Sequence, residues 1–235
     1  MAPQNDLITH LACIMDGNRR WAQLKGLQPW YGHKEGIEAA LRVVDFCIER
    51  NIGHLSLFTF ALQNFKRPLQ EIQYLFDMLT TSAHHFINAF VERGVQVEWI
   101  GNLKLFPQEI QEICKQSQEH TAQKKKLKLQ LYFGYDGQEE IIAATAAVAQ
   151  QVCQGLLKTE EITPALFKKY LWGGAVPDPD LIIRTGGMQR LSGFMLYQAA
   201  YSEFYFLDCL WPEISQDHLQ KALDYFNNCQ RNFGI

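Results

Sequence analysis

The first strongly apolar run of the chain stops at "MDGNRRW" (residues 15–21), where an acid is followed by a glycine, an asparagine and two arginines. Asp16 beside Arg19 and Arg20 has two readings: a capping aspartate with surface arginines, or an oxygen ligand for Mg2+ set against cations that hold phosphate oxygens. Gly17 permits a tight turn, and a helix beginning near Asn18 would turn free backbone N–H groups toward an anion. Four further stretches carry groups of the same kind. "YGHKEG" offers His33 and Lys34 at a helix start, and "ALQNFKRP" supplies Asn64, Phe65 and Arg67 ahead of a helix that begins at a proline. "RTGGMQRLSGF" spreads Arg184, Arg190 and Ser192 over a glycine-containing loop whose backbone could close on a phosphate. "YSEFYFLDCLWPE" puts Glu203 at the start of an apolar run, as a strand-edge charge or a metal ligand. Singly, each reads equally well as ordinary structure: a turn, a structural histidine, a solvated face. Together their common denominator is a diphosphate and a divalent cation.

These groups need a scaffold that delivers them to one place. Six short apolar runs, "LACIM", "HLSLFTF", "VQVEWI", "LKLQLYF", "DLIIRT" and "EFYFLD", alternate with longer amphipathic stretches at 34–50, 68–93, 107–123, 138–154, 163–171 and 215–230. That alternation predicts an α/β fold, a Rossmann-like and mainly parallel sheet of about six strands flanked by helices. Pro68 and Pro107 fit the first turns of two of the helices. In open α/β sheets ligands bind beyond the carboxyl ends of the strands, which is where the candidate residues lie. There is no G-x-x-x-x-G-K-[ST] loop and no G-x-G-x-x-G after a strand, so an ordinary NTPase or dinucleotide enzyme is disfavoured.

The bulk properties agree with a globular protein. The chain has 235 residues, short enough for a single domain over 1–235, with 47% hydrophobic residues and a formal net charge of −3, which argues against a nucleic-acid partner. Six scattered cysteines with no C-x-x-C pair and no signal-peptide pattern point to a reducing, cytoplasmic setting. No window approaches the roughly 18 apolar residues of a membrane span, so any lipid connection is expected to be peripheral.

"HLACIMDGNRRWA" with "GHKEG", then "NFKRP", then "PDPDLIIRTGGMQRLSGFMLYQAAYSEFYFLDCLWPE", through "RNFG" near the end, resembles the cis-prenyltransferases, the family of undecaprenyl diphosphate synthase. The aspartate-rich D-D-x-x-D pattern of the unrelated trans-type enzymes is absent. The resemblance implies a homodimer with a hydrophobic tunnel that carries out Mg2+-dependent condensation of isopentenyl diphosphate with an allylic diphosphate such as farnesyl diphosphate. By position it makes Asp16 the essential metal-binding acid and Glu203 the other carboxylate ligand. Gly17, Asn18, Arg19, Arg20, His33 and Arg67 match the cradle of the allylic diphosphate, with Trp21 and Phe65 as neighbouring aromatics. Arg184, Arg190 and Ser192, with Leu191 between the last two, match the isopentenyl diphosphate site, and Asn64 a position assigned a part in proton removal. The helix at 68–93 repeats Leu69, Ile72, Leu75, Phe76 and Leu79 at helical spacing, an ordinary core stripe that the resemblance makes part of the tunnel, with Thr59, Leu75, Met78 and Leu79 as wall positions. Two rivals are a catalytically weak partner or regulatory subunit of the same fold, and a phosphate-ester hydrolase with Asp16 as nucleophile.

Several positions depart from the usual bacterial pattern, and they cluster near substrate. Pro29 stands where an arginine for the allylic diphosphate is common, Ala61 and Gln63 replace a serine and a glutamate, Met188 replaces an acid, Gly193 replaces an asparagine, and "FGYDG" stands for "NYGG". A lost arginine–phosphate contact costs on the order of 1.5–3 kcal/mol, unless Arg19, a glycine in many relatives, takes it over. These changes bear on substrate preference and product length more than on activity.

Overall fold

The computed structural model describes residues 8–231; residues 232–234 of the "RNFG" stretch lie outside the described residues. Six strands form at the six apolar runs: β1 (His10–Ile14), β2 (His54–Ala61), β3 (Val95–Ile100), β4 (Leu127–Tyr135), β5 (Leu181–Arg184) and β6 (Glu203–Phe206). They pair in the order β3-β4-β2-β1-β5-β6, and every neighbouring pair is parallel. Parallel pairing demands long crossovers, and the connections supply α1 (Asn18–Leu24), α2 (Gly32–Glu49), α3 (Leu69–Arg93), α4 (Gln108–Thr121), α5 (Gly137–Cys153), α6 (Pro164–Lys168) and, after the last strand, α7 (Gln216–Asn228).

Both faces of the sheet are covered, which is why its strands read as apolar runs rather than as strict alternations. Leu11 and Cys13 of β1 point into a core with Val43 and Phe46 of α2 and Leu219 and Phe226 of α7. Ala12 and Ile14 point the other way, onto Tyr132, Phe194 and Met195. A third cluster, under α3 and α4, is aromatic: Phe106 stacks on Phe133 at 4.0 Å between ring centroids, with Phe60 and Phe65 beside them. Boundaries moved where caps decide them. Pro68 and Pro107 are the extended residues that precede α3 and α4, one step before the first turns expected of them. Leu69 was expected on the core face of α3 but is 83% exposed. Three-residue steps drift by roughly 60° around a helix, so Leu69 falls off the stripe that Ile72 and Leu79 keep.

One polar row crosses the buried sheet. His10 Nδ1 donates to the Pro177 carbonyl at 2.7 Å, so Nε2 is the acceptor facing the Ser56 hydroxyl at 2.8 Å. That hydroxyl also lies 3.2 Å from Gln130 Oε1, and its single proton serves one of the two at a time. Gln130 Nε2 donates in turn to Glu98 at 2.9 Å. Burial, only partly offset by the Pro177 carbonyl, pulls the His10 pKa from 6.5 down to about 4. A depressed histidine pKa means that the folded state favours the neutral ring: the stability is complete above pH 6.5 and is lost as pH falls toward 4. We expect denaturant unfolding at pH 7 and pH 4.5 to show a loss of about 2–3 kcal/mol that His10→Asn removes; equal pH dependence in the two proteins would refute the assignment.

Candidate functional site

Beyond β1 the chain leaves toward β2 on one side, while beyond β5 it leaves toward β6 on the other. The carboxyl ends of these neighbouring strands therefore open a crevice. Asp16, two residues past β1, and Arg184, the last residue of β5, meet across it: Arg184 Nη2 donates to Asp16 Oδ2 at 2.8 Å. Arg20, one helical turn on, donates to Oδ1 at 3.2 Å. The Asp16 carbonyl accepts from the Thr185 hydroxyl at 2.7 Å and the Trp211 N–H at 3.0 Å, which fixes the backbone beneath the carboxylate. Arg184 is 4% exposed; its Nη1 donates to Ser192 Oγ at 2.8 Å and to the Arg190 carbonyl. Two glycines make this closeness possible. Gly17 sits at φ 114° with a Cβ there only 2.9 Å from Leu210, and Gly186 sits at φ 82° where a Cβ would collide with the Arg20 guanidinium.

The crevice widens into a cleft of about 850 Å³. Its wall gathers Asp16, Gly17, Asn18, Arg19 and Arg20 from the start of α1, His33 from α2, Asn64 and Arg67 from the segment after β2, and Arg184 and Ser192 from the β5 end. Three buried polar atoms without a hydrogen-bond partner among the described residues belong to this wall: Asn18 Oδ1, His33 Nε2 and Arg184 Nε. Five expected residues are not in it. Trp21 faces Lys25, Phe65 packs into the aromatic cluster, and Leu191 packs against the core under the β5 loop. The Arg190 side chain is exposed beside Met188, and only its carbonyl reaches Arg184. Glu203 opens β6 in register with Leu181, near Tyr225 and Cys229. In a parallel sheet the first residue of a strand lies at the amino edge, so within this chain Glu203 stands at the opposite end of the strand from the cleft.

Sequence reasoning missed a buried acid that organises one side. Glu71, in the first turn of α3, is 1% exposed and has Arg67 Nη1 at 3.1 Å, Arg19 Nε at 3.6 Å and His33 Nε2 at 3.6 Å. Only the Arg67 contact has hydrogen-bond length; the other two are electrostatic. Burial pushes the Glu71 carboxyl up, but His33, Arg67 and Arg19 outweigh it and hold the group below its ordinary value. For His33 burial and the arginines win over Glu71, so the ring is held below its ordinary value and is neutral at pH 7. The available signal was the i, i+4 pair of Arg67 and Glu71 just ahead of an apolar stripe. Asp136 was also missed. It caps α5 by accepting from Gln138 N at 2.8 Å, and it accepts from Gln63 Nε2 at 2.5 Å, with both side chains on the cleft wall.

On the far side of Met15, Asn18, His33 and Thr59, which line both spaces, an apolar cavity of about 190 Å³ runs between α2, α3 and the sheet. Leu75, Met78 and Leu79 form part of its wall, with Phe86 and Trp99. For a cation the donor set is sparse. No group of three His, Cys, Asp or Glu residues is poised for a metal among the described residues. Asp16 alone suits an ion that takes one carboxylate and completes its shell with phosphate oxygens and water, as Mg2+ does.

The sequence from residue 14 to residue 234 matches the family described as "Putative undecaprenyl diphosphate synthase". A ditrans,polycis-undecaprenyl-diphosphate synthase ((2E,6E)-farnesyl-diphosphate specific) of Xylella fastidiosa is 40% identical over 96% of this chain and 89% of its own length. Among solved structures, lavandulyl diphosphate synthase from Lavandula x intermedia, in complex with dimethylallyl diphosphate, superimposes with a TM-score of 0.93 at 29% identity over 97% of this chain and 99% of that one. A probable undecaprenyl diphosphate synthase from Campylobacter jejuni gives a TM-score of 0.79 at 30% identity over the same shares.

Glu71→Gln leaves three cationic or polar groups facing one another without their anion. We expect a loss of about 1–3 kcal/mol at pH 7. The wild-type advantage should shrink as pH falls below the ordinary carboxyl value of 4.5, because a depressed carboxyl pKa gives stability that acid removes. An unfolding difference that does not change between pH 7 and pH 3 would contradict this.

Proposed function

Because the chain belongs to the undecaprenyl diphosphate synthase family, we infer that it is a cis-prenyltransferase that condenses isopentenyl diphosphate with an allylic diphosphate, farnesyl diphosphate by its relatives' names, into a longer (Z)-polyprenyl diphosphate. The observation that carries this reading is Asp16 held between Arg20 and Arg184 at the mouth of a cationic cleft that adjoins an apolar cavity. Two diphosphates side by side repel by several kcal/mol at an effective dielectric near 20, and the cleft answers with arginines from two directions. Arg19, Arg67 and the unpartnered His33 Nε2 suit the allylic diphosphate, whose hydrocarbon tail then points toward the apolar cavity. Arg184 and Ser192, fixed to each other, suit the isopentenyl diphosphate, with Arg190 at the loop rim.

As the allylic C–O bond breaks, charge builds on the leaving diphosphate, and donors already in place stabilise it without reorganising. Mg2+, held through Asp16 and phosphate oxygens, would supply further neutralisation of that charge. Arg19 extends from α1 to Glu71 and so lies on the cleft wall, whereas Pro29 opens a short 3-10 turn outside it. Arg19 thus takes the place of the arginine that is missing at residue 29. A homodimer belongs to this reading, as does release of the hydrophobic product at a membrane surface; no helix among the described residues is long and apolar enough to cross a membrane. With Asp16, Arg184 and Ser192 in contact, the site fits a catalyst rather than a weak partner subunit.

The test combines purified protein, labelled isopentenyl diphosphate, farnesyl or dimethylallyl diphosphate and Mg2+, and sizes the lipid formed. Asp16→Ala should abolish chain growth while the fold persists by circular dichroism; turnover near normal would refute its role. Arg19→Gln should raise the allylic KM by about ten-fold or more, the equivalent of one charged hydrogen bond, and leave the isopentenyl KM nearly unchanged. If the allylic KM does not move, some other group fills the place of the missing arginine.

A further inference from the structure

We propose that Asp136 is the catalytic residue that removes the proton in this condensation, an inference that rests on the cis-prenyltransferase reading above. The balance of the reaction calls for such a group. The allylic C1–O bond breaks and its electron pair leaves with diphosphate. The double bond of isopentenyl diphosphate supplies the pair for the new bond from its C4 to the allylic C1, which leaves its C3 electron-poor. The C2–H bond then gives its pair to the new C2=C3 double bond, and its proton passes to a base. A C–H next to a carbocation is strongly acidic, so an ordinary carboxylate is basic enough provided that it is in reach and its position is fixed.

Asp136 meets both conditions. It is 6% exposed yet lines the cleft. It adjoins the loop that carries Ser192: the Gly137 N–H donates to the Gly193 carbonyl at 2.7 Å, and a Cβ at Gly193 would come within 3.1 Å of Asp136 Oδ2. Ser192 is the hydroxyl that Arg184 holds for the isopentenyl diphosphate, and C2 is only two carbons along from that phosphate. Both oxygens are anchored, Oδ1 by the Gln138 N–H and Oδ2 by Gln63, and each retains a lone pair.

Asn64, Asp16 and His33 are less suited to take this proton. Asn64 Oδ1 accepts from the Ala61 N–H at 3.0 Å, and an amide is no base. Asp16 carries an arginine on each oxygen. His33 sits with Glu71, Arg19 and Arg67 on the allylic side. Three departures from the family pattern form this one unit. Asp136 brings a carboxylate, Gln63 is the amide that donates to it where a glutamate would share a proton with it at 2.5 Å, and Gly193 leaves room for it.

The experiment measures steady-state turnover of the full chain with farnesyl diphosphate, Mg2+ and isopentenyl diphosphate, either unlabelled or deuterated at C2. Asn caps helices as well as Asp does, so Asp136→Asn is expected to fold. Its kcat should fall by about 10²-fold or more, the scale of a lost general base, with both KM values little changed and with a larger deuterium isotope effect on kcat than wild type. Asp136→Glu, which keeps the carboxylate, should restore part of that kcat. Wild-type kcat in Asp136→Asn would overturn the proposal, as would equal losses in the Asn and Glu variants without any rise in the isotope effect. A wild-type protein that incorporates no isopentenyl diphosphate would instead sink the function reading itself.

Discussion

The structure depends on a carboxylate that cannot be left alone. Asp16 is placed by β1 at the one point of the sheet where neighbouring crossovers diverge, and there it is compensated by Arg184 from β5 and by Arg20 from α1. Arg184 is almost wholly buried, and its desolvation is tolerable only because Asp16, Ser192 and a backbone carbonyl take its protons. Glycines at 17 and 186 follow from the same requirement, since any side chain there would push helix or guanidinium off the carboxylate. Glu71 repeats the pattern on the opposite wall, a second buried anion gathering Arg19 and Arg67 with the neutral His33 ring beside them. The cleft is built from opposed charges that substrates are shaped to enter.

Much of this was legible in the sequence. The six apolar runs mark the six strands, because strands covered on both faces are mostly apolar and admit polar residues only where these pair with one another, as His10, Ser56, Gln130 and Glu98 do. The strand ends then located Asp16, Arg20, Arg67, Arg184 and Ser192 without any knowledge of pairing order. What was hidden depends on which way a side chain turns. Glu71 looked like a first-turn helix acid, and only the packing of α3 shows it facing inward. Trp21 and Phe65 adjoin site residues in sequence yet turn away from the cleft. Glu203 follows a loop near the site, but it begins a strand where the functional edge lies at strand ends. Adjacency along the chain is a poor guide to adjacency in space wherever a strand intervenes.

The departures from the family pattern become intelligible once they are grouped by contact. Arg19 and Pro29 form one set, in which, on the reading proposed above, the first turn of α1 supplies the cation that the family pattern puts at residue 29. Gln63, Asp136 and Gly193 form a second, in contact with one another, in which the proposed reading has the start of α5 supply the carboxylate that the family pattern puts after β2. In both sets the charge supplied to the cleft is kept while its attachment to the backbone changes. Such exchanges are tolerated because the sheet holds all these loops at one edge, where a side chain of suitable length can reach the same point from more than one anchor.

The Asp16–Arg184 contact joins residues 168 positions apart. The chain emerges from synthesis N-terminus first, so β1 and α1 exist long before the guanidinium that completes their pocket. Until β5 docks, Arg20 alone faces Asp16, and a half-made chain lacks the guanidinium that completes the centre. The enzyme therefore carries its own proof of completion: the site assembles only when the last third of the polypeptide has found its place against the first.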